Sequence, residues 1–408
     1  MNTLRHIVLM SLFVLAGTFP ASAQICDLAD PVKPADFPDQ PINIFIPRSS
    51  ASGSLGLNEE IAKAIRGLKD ENGNDLNIRV NTLFKFGGDL HAALDYFFDL
   101  PPNGYNVIQL TDTYASTLAE SGAAESGAAD NRLVPLALAQ ITLSQLYIRR
   151  NDPNFSDLDG FISYASARGS EAEAAPVQIA LFGTKGEQFG LEDILLEKFA
   201  DNFATGALTA TSVAEAAPDA AGEAPATTPP APELALGPVG FESGSARYFS
   251  LFGASAETGR RVDALIEQPG DVARLINGGL IKPIFTFLPE QDLNREVAAD
   301  LRARLGATAS FPEKGSEHCA IYYRYRGFFI PADVPPERRQ FLEWVFRKAF
   351  DSDSFRAFNH AEYMDVLYQD QDIANAYCST PDLNAFFQNS IREYRECLKD
   401  GAAASPSP

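Results

Sequence analysis

Ile42-Asn43-Ile44-Phe45-Ile46-Pro47-Arg48-Ser49-Ser50-Ala51-Ser52-Gly53-Ser54-Leu55-Gly56-Leu57 sets the architecture of this 408-residue chain. Ile42, Ile44 and Ile46 alternate with Asn43 and Phe45, the period of a strand, and Pro47 ends the run because it has no N–H to give a sheet. Small residues follow from Ser49 to Ser54. Leu57, Ile61, Ile65 and Leu68 then recur at helical spacing, with Asn58, Glu59, Glu60 and Lys63 on the other side. The order strand, small polar loop, helix returns in the second half. There an apolar run over 177–182 leads through Gly183-Thr184-Lys185-Gly186-Glu187-Gln188 into Leu191, Ile194, Leu195 and Phe199. Two such units in separate halves predict an α/β protein with two cores, as expected for a chain too long for one.

Between and after these units the pattern continues. Strands are expected over 76–83 and 105–110, the latter ending at Thr111-Asp112. Gly87-Gly88-Asp89 starts a helix carried by Leu90, Leu94 and Phe97, with Asp89 as its N-cap. Residues 133–148 are mostly apolar and read as an extended crossover between the halves. Ser156 and Asp159 have capping-box spacing before a helix through Leu158, Phe161, Ile162 and Ala165. A strand is expected over 262–266 with Asp263 inside it, a helix over 269–278, and strands over 280–287 and 320–330. Helices are expected over 335–350 and 380–398, with 401–408 a disordered tail. Residues 207–238, rich in Ala, Pro, Thr and Glu, hold too little large apolar surface to offset chain ordering and read as a disordered insertion.

The first 23 residues have the form of a secretory signal: Arg5, an apolar stretch over 7–17, and Ala21-Ser22-Ala23 before a cleavage expected at Gln24. Export to the periplasm is therefore expected. The chain has 33 basic and 54 acidic side chains, net −21. The signal segment holds Arg5 and no acid, so the remainder carries −22. Such a surface excludes nucleic acid and anionic lipid as partners. Cys26, Cys319, Cys378 and Cys397 form an even set in an oxidising compartment, which predicts two disulfides. Three pairings are open; Cys378–Cys397 with Cys26–Cys319 is favoured because it ties down both ends. No C-x-x-C or H-x-x-x-H spacing supports a metal, and no cofactor is implied.

Catalytic signatures are absent: there is no G-x-S-x-G, H-E-x-x-H, Walker loop or G-x-G-x-x-G after a strand. Only His91, His318 and His360 follow the signal segment. Binding is the better reading. Loop amides and a helix N-terminus attract an anion without a side-chain cation, and open sheets place ligands beyond the carboxyl ends of their strands.

The segments also resemble, in order, the solute receptors of tripartite tricarboxylate transporters, the TctC or Bug family. Ile44-Phe45-Ile46-Pro47 and the small-residue loop stand where the family has its first ligand loop. Pro101-Pro102-Asn103-Gly104-Tyr105 is similar to its P-D-G-Y turn, and Asp152-Pro153-Asn154-Phe155-Ser156-Asp157-Leu158 to its D-S-P-F-x-T-L. Gly183-Thr184-Lys185-Gly186 falls at its second ligand loop. Arg261-Val262-Asp263-Ala264 and Asn277-Gly278-Gly279-Leu280 resemble its V-D-A and A-G-x-L segments. Leu55 stands where the family has an aspartate.

The resemblance implies a two-lobed Venus-flytrap fold, type II-like, without catalysis. A monomer would capture a small organic acid between its lobes for a membrane permease. The ligand set it implies is Ser49, Ser50, Ala51, Ser52 and Gly53 in one lobe and Gly183, Thr184, Lys185, Gly186, Glu187 and Gln188 in the other. The residue reading adds Gly87, Gly88, Thr111, Asp112 and Asp263. Lobe 1 is expected at 24–139 and 286–375, lobe 2 at 140–285, and a C-terminal extension at 376–408. A periplasmic sensor or interaction protein reusing the fold, and more remotely a hydrolase, are the rival readings.

Overall fold

The computed structural model describes residues 31, 33–47, 54–70, 72–84, 90–111, 132–170, 174–182, 191–204, 234–241, 244–290, 303–306, 308–311, 323–364, 378 and 380–404. The alternating run at 42 forms β1 (Ile42–Ile46), and the helical spacing after it forms α1 (Ser54–Arg66). Then come β2 (Val80–Phe84), α2 (Leu90–Phe98) and β3 (Asn106–Thr111). These three strands are parallel, and β11 (Tyr323–Pro331) and β4 (Leu133–Leu143) complete a five-stranded sheet in the order β2-β1-β3-β11-β4.

The chain leaves that sheet at Ser144. It enters the second sheet as β5 (Gln145–Arg149), followed by α3 (Leu158–Ser170), β6 (Val177–Phe182) and α4 (Leu191–Ala204). Next are β7 (Leu236–Phe241), α5 (Gly244–Ser250), β8 (Ala264–Glu267), a 3-10 turn (Pro269–Val272) and α6 (Ala273–Asn277). β9 (Ile281–Pro289) and β10 (Ala309–Phe311) complete the six-stranded order β10-β9-β5-β8-β6-β7. After β11 the helices α7 (Pro336–Phe350), α8 (Asp353–Ala361) and α9 (Thr380–Ala404) pack on the first sheet and on α1. The result is two α/β lobes joined by the β4–β5 crossover, as the sequence reading expects.

The second sheet is covered on both faces, and its side chains alternate accordingly. Ile179, Leu181, Ala264 and Ile266 pack into the core that holds Phe199, Phe285, Phe287 and Phe311. Ala180 and Leu265 face the opposite layer of Tyr147, Val239, Phe241, Leu251 and Val262.

Several local expectations are corrected. β4 stays in the first sheet through Leu143, and β9 and β10 both stay in the second, so the chain rejoins the first sheet only at β11. Residues 236–238 belong to β7 rather than to the disordered insertion. β7 is the outer strand beyond β6, where a proline costs no ladder bond, and a Cβ on Gly237 would lie 2.9 Å from Pro176. The helix expected over 269–278 is split into the 3-10 turn and α6. Asp157, not Ser156, caps α3: its carboxylate accepts the Gly160 N–H at 2.8 Å, which holds its pKa down. α9 runs to Ala404, into the expected tail. The rest of that tail, most of the insertion and the signal segment lie outside the described residues.

Candidate functional site at the lobe junction

Strand direction locates the site. In the first sheet, Arg326 of β11 lies opposite Thr111, the last residue of β3, and Tyr323 opposite Leu143, the last of β4. The carboxyl ends of β1, β2 and β3 therefore share one edge with the start of β11. In the second sheet, Gln145 at the start of β5 lies opposite Glu267, the last residue of β8, and opposite Thr286 near the end of β9. β6 and β7 run parallel to β8. The carboxyl ends of both parallel sets thus meet where the chain crosses at Ser144, the position in which open α/β sheets bind ligands.

Of the expected ligand residues, Thr111 is brought to this junction. Ser49, Ser50, Ala51, Ser52 and Gly53 lie outside the described residues, between β1 and α1. Gly87 and Gly88 lie likewise between β2 and α2, Asp112 just after β3, and Gly183, Thr184, Lys185, Gly186, Glu187 and Gln188 between β6 and α4. Each of these loops springs from a strand's junction end. Asp263 does not belong with them. It precedes β8, at the amino end, and its carboxylate accepts the Gln178 N–H at 2.9 Å while its own N–H donates to the Gln178 carbonyl at 2.8 Å. That carboxylate extends the β6–β8 ladder at the pole away from the junction.

Sequence reading missed a buried charge network at the junction. Glu192, in the first turn of α4, accepts the Phe182 N–H at 2.6 Å and two bonds from Arg247 Nη1 at 3.0 and 2.9 Å. Arg324 of the first lobe donates to its other side. Glu267 pairs with Arg247 and, at 3.6 Å, with Arg324; the Tyr248 hydroxyl donates to it at 3.1 Å. Arg326 Nη2 donates to both oxygens of Asp271 at 2.7 and 2.8 Å, and its Nη1 to Gln140 at 2.8 Å. Gln140 in turn donates to Asn359 of α8 at 2.8 Å. Beside them, Tyr147 donates to Gln145 at 2.7 Å and Gln145 to Thr286 at 2.8 Å.

Three guanidinium groups meet three carboxylates, so the network is neutral. Burial opposes charge on Glu192, but Arg247, Arg324 and the Phe182 N–H outweigh it and hold its pKa below the ordinary value. Asp271 is nearly buried, which opposes its charge, but Arg326 and Gln268 lower it in the same way. Burial, with Glu192 beside it, pushes Asp193 up. Burial raises the Tyr147 and Tyr248 hydroxyls, which stay protonated. Ser144 Oγ, Arg247 Nε and Arg326 Nε are buried there without a hydrogen-bond partner. One sequence signal pointed here: Arg324 and Arg326, two apart in an apolar strand, must project from the same face.

Neither Cys378 nor Cys397 is a free thiol. Cys26 and Cys319 lie outside the described residues. Among the described residues no group of His, Cys, Asp and Glu is placed to hold a metal, and no helix is long and apolar enough to cross a membrane.

No family model and no curated protein sequence matches the chain. Solved structures do. BugD, a periplasmic binding protein, aligns with a TM-score of 0.60 at 12% identity, over 90% of this chain and 99% of its own. MatC from Rhodopseudomonas palustris, with bound malate, gives 0.57 at 14% identity, over 89% and 100%. A second R. palustris protein, with adipate, gives 0.52 at 15% identity, over 89% and 98%. This chain has the TctC and Bug solute-receptor fold. The resemblance read from the ordered segments is borne out at that level. In this two-lobed fold the junction described above lies between the lobes, with β1 ending on one side of it and β6 on the other.

Proposed function

We propose that the protein is a periplasmic solute receptor that captures a small organic acid between its lobes and delivers it to the permease of a tripartite tricarboxylate-type transporter. The observation that carries this reading is the convergence of both sheets' carboxyl ends on one crossover. It brings the strand–helix units β1–α1 and β6–α4 to the same junction, which supports reading the sequence between each pair as a ligand loop. Solved structures of the same fold hold malate and adipate. The first and second loops supply amides and hydroxyls, with Ser50 and Thr184 as representative donors. Thr111, opposite Arg326 at the junction, joins the proposed ligand set with Gly87, Gly88 and Asp112. Binding between lobes favours the closed state through contacts made only there. The role is capture rather than catalysis. The signal segment, cleaved after Ala23, accounts for export, and Cys378–Cys397 and Cys26–Cys319 are the proposed disulfides.

Thermal unfolding of the exported chain, stripped of co-purified solute, against dicarboxylates, tricarboxylates, aromatic acids and amino acids tests the reading. A ligand at ~1,000 times its dissociation constant stabilises by about 4 kcal/mol. A selective shift that is lost in Ser50→Ala or Thr184→Val is the expected result; no shift with any acid overturns it. One observation favours a second reading, a sensor or interaction protein on the same fold. The cleft guanidiniums of Arg247, Arg324 and Arg326 are already engaged by the protein's own carboxylates. Deletion that alters transcription while leaving acid uptake intact would select that reading.

A further inference from the structure

Glu192 occupies an unusual place. Its carboxylate lies at the carboxyl end of β6 and in the first turn of α4, where the receptor reading puts the second lobe's anion site. It is held there by a strand-end N–H (Phe182), a guanidinium of its own lobe (Arg247) and a guanidinium of the other lobe (Arg324). That donor set, drawn from both sides of a cleft, is what a captured carboxylate would meet. The residue is 1% exposed.

We infer that Glu192 is a tethered surrogate for the carboxylate of a solute: it closes the lobes on itself and competes with any acid for Arg324. The inference rests on the receptor reading of the cleft and adds its regulation. A solute must either displace Glu192 from Arg324 or bind beside it. The protein therefore discriminates against short monocarboxylates, which offer Arg324 no more than Glu192 already does. Longer acids, whose further polar groups make contacts that Glu192 cannot, offset the exchange. The chemistry is simple pairing: Phe182 donates an uncharged N–H, and Arg247 and Arg324 are shared between Glu192 and Glu267.

The test uses three variants of the exported chain. Glu192→Gln keeps the shape and removes the charge, Glu192→Ala removes Cγ and the carboxylate, and Arg324→Gln removes the partner from the opposite lobe. Small-angle scattering of solute-free protein reads lobe separation, and circular dichroism reads folding. Wild type is expected to be compact without solute, and all three variants to be expanded. Acetate, the fragment that Glu192→Ala removes, is expected to restore compactness and raise the melting temperature of Glu192→Ala, with no effect on wild type or Arg324→Gln.

Folded variants as compact as wild type overturn the inference, as does acetate acting equally on wild type and Glu192→Ala. If the Glu192 and Arg324 variants all fail to fold, Glu192 is a structural anchor and not a surrogate, which also overturns it. Failure of the receptor reading looks different: no larger acid shifts wild type or Glu192→Ala, whatever the scattering shows.

Discussion

Arg326 and Asp271 are joined across the lobe junction by two hydrogen bonds of 2.7 and 2.8 Å, although β11 is a strand of the first sheet and the 3-10 turn follows β8 of the second. Both side chains are buried or nearly so. A buried pair gains little net over an apolar pair, but removing one partner strands a charge and costs about 3–5 kcal/mol. Asp271→Asn and Arg326→Gln should each lower the unfolding free energy measured in urea by that order. The double variant should lose clearly less than the two losses combined, because neither charge is then left alone. The four unfolding curves form the cycle that measures the pair.

The carboxylates around the junction predict a peaked stability profile. Asp271 and Glu192 have folded pKa values below their ordinary ones, so their contribution is complete above the ordinary carboxylate range and is lost as pH falls through the folded values. Asp193 and Glu362 are raised, chiefly by burial, so they cost stability at neutral pH and that cost disappears as they protonate. The urea midpoint should therefore rise slightly as pH drops from 7 toward the raised values, then fall once the ordinary range is passed. Asp193→Asn should stabilise at pH 7 and make no difference in strong acid. A midpoint that falls monotonically from pH 7 would contradict the assignment of Asp193 and Glu362.

Packing beneath the second sheet supplies a third expectation. Phe285 stacks edge-on against Phe199 at 5.0 Å and against Phe287 and Phe311 at 5.2 Å each. Truncating one large buried ring leaves a cavity that its neighbours fill only in part, at about 3–5 kcal/mol. Phe285→Ala should lose that much in denaturant unfolding. Phe249→Ala, which removes an exposed ring, should lose little.

Sequence alone carried the strand–loop–helix units because each is local: alternation at Ile42, Ile44 and Ile46 and helical spacing from Leu57 are set by neighbours in the chain. The order of segments carried the fold. Less of the site was legible. Asp263 was placed at the cleft, yet it precedes the apolar run of β8 and so had to lie at the amino end, away from the ligand edge; that rule was available and decides the case. The Arg324–Glu192 and Arg326–Asp271 pairs were not legible, because each joins residues from different lobes whose approach depends on how the lobes close. β7 hid behind Pro238 and Gly237, residues that argue against a strand unless it is known to lie at an edge.

Gly270 shows how tightly that closure is built. It lies in the 3-10 turn of the second lobe, against the segment after α8, which packs with the first. A Cβ there would stand 2.7 Å from the Glu362 carbonyl oxygen and closer still to the Met364 side chain. Met364 can rotate away, but the carbonyl belongs to backbone anchored on both sides. The Met364 N–H donates to Asn359 at 2.8 Å, and the Tyr363 hydroxyl donates to Asn277 of α6 at 2.7 Å. Gly270→Ala should thus cost about 1–3 kcal/mol as an overpacked contact and move the lobes apart rather than loosen either one. Gly253→Ala is the control: nothing lies within 4 Å of its Cβ, and the loss of chain freedom in the unfolded state should leave it neutral or slightly stabilised. Hydrogen exchange resolved by segment separates the cases. Faster exchange confined to 269–277 and 359–364 is expected for Gly270→Ala, and a uniform change across both sheets would mean that the glycine serves the fold as a whole and not the junction.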